Sequence, residues 1–163
     1  MITSTIGKIF LQAYNEEYET NYDARTFFIE QFYPLFFDQN KYMMTAGNSP
    51  LENPKLSWDD MLKGKKPYES EDKRKMRYDK LLEKIENSEA DASIARGYPS
   101  LDVTATTSGQ VTDFKLPIQI EDVYLSWMGD ALGVGVQGGF SILFNQKSIL
   151  LDISKGWKIY RQA

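Results

Sequence analysis

One stretch limits the fold more than any other: "DARTFFIEQFYPLFF", residues 23 to 37. Asp23 is a good helix cap, and behind it stand Phe27, Phe28, Phe32, Leu35 and Phe36. At about 3.6 residues per turn these side chains cover most of a helix circumference. A helix apolar nearly all round has to be enclosed by other elements. Pro34 is expected to kink or end it, because proline lacks the N–H and crowds the preceding turn.

The elements that enclose it are also legible. Residues 4 to 18 place Ile6, Ile9, Phe10, Ala13 and Tyr14 on one helical stripe, with Ser4 as the expected cap. A further helix is predicted over "ESEDKRKMRYDKLLEKIEN", capped by Ser70, with Glu71 and Asp72 at its positive end and Asn87 closing it. Tyr78, Leu81, Leu82 and Ile85 form its apolar stripe. Lys73, Arg77, Lys80 and Lys84 form a cationic stripe on one flank, and Asp72, Asp79, Glu83 and Glu86 an anionic one on the other. Between these helices, residues 38 to 68 read as a long ordered loop with a short helix from Trp58 to Leu62. Loops of this length are commonly functional. Its Tyr42, Met43, Met44 and Trp58 want burial or a partner, so Tyr42 and Trp58 are candidate interface residues.

The second half changes character. A short helix is predicted over "SEADASIAR", ending at Gly97, followed by a Thr- and Val-rich hairpin over residues 98 to 117. Helical spacing returns from Ile120 to Leu132, and "GFSILFNQKSILLDI" reads as two short strands around Asn145-Gln146. The final "SKGWKIYRQA" fits either period: Trp157 and Ile159 alternate, while Ile149, Ile153, Trp157 and Tyr160 are helically spaced. The predicted class is α+β, one domain over residues 1 to 163. A mainly helical part, 1 to 97, packs on a small, mainly antiparallel sheet from 98 to 163. The chain is read as the N-terminal piece of a longer protein.

Within "DALGVGVQGGFSILF", Gly133, Gly135 and Gly138 have the G-x-G-x-x-G spacing of a dinucleotide loop. That loop works only where a strand delivers it and a helix leaves it, aiming free N–H groups at the pyrophosphate. Here a helix comes first and a strand follows. Gly133 is therefore expected to end a helix, and Gly138 and Gly139 to allow a tight turn or close backbone packing. No dinucleotide is expected.

The chain contains no cysteine and no histidine. Thiolate and imidazole catalysis and Cys- or His-ligated metals are excluded. A net charge of -4 does not mark a nucleic-acid binder overall, although a local basic face is compatible with it. No run reaches the roughly 20 apolar residues of a membrane span, and the N-terminus lacks a signal-peptide pattern. A cytoplasmic location is the expectation.

Two functional readings follow. In the first the chain is a non-catalytic binding or scaffold module of a larger prokaryotic assembly. It meets another protein subunit or nucleic acid through Lys73, Arg77, Lys80 and Lys84, with Tyr42 and Trp58 beside them, and needs no cofactor. In the alternative, Asp113 and Lys115 share one face of the hairpin and Asp102 lies beside them on the partner strand. Two carboxylates would then hold Mg²⁺ while the lysine steadies an attacking water. An acid followed by acid-x-Lys, over residues 99 to 115, resembles the PD-(D/E)xK nucleases. The resemblance implies a metal-dependent nuclease with Asp102, Asp113 and Lys115 catalytic, and with Asp102 and Asp113 as metal ligands. The plainer account makes Asp102 and Asp113 turn or edge charges and Lys115 the guard of an open strand edge.

Overall fold

The computed structural model describes residues 2–39, 58–87, 119–138 and 140–163. The architecture is α+β, mostly helical, with a helical N-terminal half and a small two-stranded antiparallel sheet. Helix α1 (Ile2–Tyr18) opens the chain. Helix α2 (Ala24–Phe27) runs through a π turn (Phe28–Phe32) into α3 (Tyr33–Phe36). Asp23 caps α2 as expected, accepting the Thr26 amide at 2.7 Å. Its carboxyl is held below the usual range by that hydrogen bond. Pro34 acts through the π turn before it: the widened turn accommodates the missing amide, and the helix ends at Phe36, two residues on.

Ser4 does not cap α1. The helix begins at Ile2, and Ser4 is buried inside it, because contacts with a later helix hold the first turn in place. That partner is α6 (Ile120–Ala131). The two axes meet through glycines. A methyl group on Gly7 would lie 1.8 Å from the Leu125 carbonyl oxygen, and one on Gly129 would lie 1.9 Å from that of Thr3. Beside this contact Thr3 Oγ1 and Ser126 Oγ share a hydrogen bond of 2.7 Å.

The short α4 (Trp58–Leu62) and the long α5 (Glu71–Asn87) form where their sequences place them. Tyr78, Leu81 and Ile85 of α5 are buried, as the apolar stripe requires. The Tyr78 ring stacks on Tyr33 with centroids 3.7 Å apart, and both lie beside Phe28 at the centre of the core. Burial pushes the Tyr33 phenol up to about 12 and raises Tyr78 and Tyr124 too. Among the described residues the Tyr78 hydroxyl has no hydrogen-bond partner.

The pH dependence follows from these shifts. Above pH 10 an unfolded tyrosine ionises, while folded Tyr33 keeps its proton until about 12. The unfolded state then binds fewer protons, so stability falls as pH rises through that window. Urea melts across it are expected to lose stability progressively. Tyrosinate absorbance from the buried rings should appear together with unfolding, not before it.

After α6 come β1 (Val134–Val136) and β2 (Phe140–Ile142), paired antiparallel with Val134 opposite Ile142 and Gly135 opposite Ser141. Gly138 makes the turn at φ 98°, as expected of it. Gly133 follows the last turn of α6 without a positive φ. It is needed for closeness instead, since a methyl there would sit 3.1 Å from both Asp130 O and Leu143 Cδ2. The expected second strand after Asn145-Gln146 is not formed. Residues 147 onward make α7 (Lys147–Gln162), and the strand partner of β2 precedes it in sequence. The helical period wins because it brings Leu150 and Ser154 onto α1 and the core, which alternation would not.

Candidate binding groove

Helix α7 is tied down by its cations. Lys147 donates to both Glu16 carboxylate oxygens at 2.9 Å, and Lys155 pairs with Glu17 at 3.2 Å. Lys158 sits over the Tyr14 and Tyr18 rings, 5.3 and 5.0 Å from their centroids. Arg161 donates to the Leu35 and Phe36 carbonyls at the end of α3, at 3.0 and 2.7 Å. The helix is therefore oriented about its own axis, and the stripe beside its buried face stays turned outward.

That stripe faces the edge of β1 across a groove of about 500 Å³. Gly133, Val134 and Gly135 line one side, and Ile153, Gly156, Trp157 and Tyr160 the other. Around it Val134, Val136, Ile142 and Ile149 are exposed, and Tyr160 is 58% exposed. From Ala131 to Gln146 there is no charged residue, in a chain that is 26% charged. Added methyl groups on Gly135 and Gly156 would touch nothing within 4 Å, so these glycines open the groove rather than relieve a clash. Among the described residues, β1 and β2 are paired only with each other. An uncharged hairpin with open edges is a surface that soluble proteins normally protect.

A second cleft, of about 380 Å³ between α1 and α6, is built differently. Part of its polar lining is already used. Asn15 holds the turn after α1 through Tyr22 and Thr20, each at 2.9 Å, and Glu16 takes Lys147.

The residues singled out in the sequence are described only in part. On α5, Lys73 and Lys80 are exposed. Arg77 is half-buried and ion-paired with Glu69, and its neighbour Arg74 bonds Asp38 at 3.0 Å. Lys75 pairs with Asp79 at 2.9 Å, so opposite charges are also interleaved along this helix. The Lys84 and Trp58 side chains lie outside the described set, as does Tyr42. Asp102, Asp113 and Lys115, with the expected Mg²⁺ site and the hairpin that carries them, lie outside the described residues too. So does the expected short helix over residues 88 to 96. Among the described residues no three acidic side chains cluster to hold a metal, and no helix is long and apolar enough to cross a membrane.

The groove itself was not anticipated, although two signals for it lay in the sequence: the charge-free run, and the glycine spacing read only against dinucleotide loops. Comparisons with protein families, with curated proteins and with solved structures find no match to this chain.

Proposed function

We propose that this chain is a non-catalytic protein-interaction module that holds an apolar segment of a partner protein between β1 and α7. The observation that carries this reading is the groove: uncharged, outward-facing, walled by Trp157 and Tyr160, and alongside a strand that, among the described residues, pairs only with β2. Aromatic side chains in such a setting supply much of the energy of protein–protein contacts. A strand edge adds main-chain hydrogen bonds to them. A protein partner is favoured over nucleic acid because Arg74 and Arg77 of α5 are committed to Asp38 and Glu69. The absence of His and Cys favours binding over catalysis.

Photo-crosslinking in the native host tests it. A photoreactive residue in place of Tyr160 is expected to give a discrete adduct, and one in place of exposed Glu30 is not. Adding Gly156→Phe should erase the adduct while leaving the fold intact, since nothing obstructs a side chain there. Equal labelling from positions 160 and 30, or an adduct that survives the filled groove, would sink the proposal.

A further inference from the structure

Resting on the groove reading, we infer that the partner it takes is a second copy of this chain, whose β1 strand lies in the groove and pairs antiparallel with β1. The segment Val134–Gly135–Val136 reads the same in both directions. A two-fold axis at Gly135 therefore sets Gly135 against Gly135 and each Val134 against the other copy's Val136. The paired valines stay on one face, because side chains alternate along a strand. The hairpin becomes a continuous sheet of four strands, β2–β1–β1–β2, and the groove of each copy is filled by the strand of the other.

Three observations support a copy of the chain itself. Charge comes first. A closed two-fold contact places every residue near the axis against itself, so any charge there repels its twin. The run from Ala131 to Gln146 carries none, although the whole chain is at -4. Room comes second. Methyl groups on Gly135 and Gly156 would meet no described atom within 4 Å, and the groove is lined by β1 and α7 without β2, beside the strand edge that has no partner among the described residues. Area comes third. Val134, Val136, Ile142, Ile149 and Tyr160 are 39%, 40%, 46%, 37% and 58% exposed. Val134 and Tyr160 leave apolar surface uncovered on both walls of the groove. With the strand backbone and rim, that supplies the dry centre of an interface of about 800 Å² per partner.

Sedimentation equilibrium of the full chain tests this. The wild type is expected at twice the chain mass. Gly135→Lys and Gly135→Glu should each sediment as monomers with unchanged circular dichroism, because a methyl group at position 135 meets no described atom within 4 Å. An equal mixture of the two variants should return to the doubled mass, since lysine then faces glutamate across the axis. A monomeric wild type, a Gly135→Lys variant that still doubles, or a mixture that does not recover would each overturn the inference. If the wild type is monomeric and position 160 still crosslinks a different protein, the interaction-module reading stands and only the identity of the partner falls. If position 160 also labels no more than position 30, both fall.

Discussion

Gly7→Ala and Gly129→Ala are each expected to destabilise the fold by about 3 kcal/mol or more, enough to remove much of a typical domain's stability. In most helices the same replacement is favourable by roughly 0.5–1 kcal/mol. Here the added methyl has no space. It would stand 1.8 Å from the Leu125 carbonyl oxygen at Gly7 and 1.9 Å from the Thr3 oxygen at Gly129. The obstructing atoms are backbone, so no rotamer change relieves the clash. Helices α1 and α6 must separate, and Thr3 then loses its hydrogen bond to Ser126. Urea denaturation monitored by circular dichroism measures the loss. Gly156→Ala is the internal control: it sits in α7 with nothing within 4 Å and should gain stability. Opposite signs for one chemical change would tie the effect to packing. A mild or favourable result at both Gly7 and Gly129 would contradict the close crossing of α1 and α6.

Phe28→Ala is expected to cost about 3–5 kcal/mol, the range for removing a large aromatic from a packed core. Phe28 is 0% exposed. Its ring centroid lies 5.2 Å from those of Phe32 and Tyr124, 6.4 Å from Tyr78 and 6.3 Å from Trp127. The ring thus joins the π turn, α5 and α6, and truncation leaves a cavity touching all three. The backbone around it is already fixed by the π turn and Pro34, which limits collapse into the space. Phe28→Leu keeps most of the volume and should cost less than half as much. Equilibrium melts give the energies, and Trp127 emission reports whether water reaches the site. A loss below about 1 kcal/mol for the alanine variant would show that Phe28 is not the centre of the core.

Much of the body was legible because helices declare themselves through spacing. The burial of Phe27, Phe28, Phe32 and Phe36, the Asp23 cap and the inner face of α5 all follow from local pattern and cap chemistry. The order of helix, glycines and strand around Gly133 likewise spoke against a dinucleotide loop, and the structure has that order. The error at α7 has the same root. From Lys147 to Ile153 a short apolar run reads as a strand, while Ile149, Ile153, Trp157 and Tyr160 fit a helix, and the burial of Leu150 and Ser154 against the body decides between them.

The candidate site was less legible because its parts are distant in sequence and ordinary in isolation. Nothing local distinguishes Gly129, which lets two helices touch, from Gly156, which leaves a groove open; the difference is the presence or absence of a backbone oxygen from another element. Arg77 reads as one of four equal cations until Glu69 is found beside it. By itself, then, the sequence determined which segments become helices, which faces they hide, and that imidazole and thiol chemistry are absent, since those depend on residue type and short-range spacing. Only the tertiary structure decided where α7 turns its aromatic stripe and that, among the described residues, β1 pairs with β2 alone. Those outcomes are set by side chains from remote segments competing for the same surface.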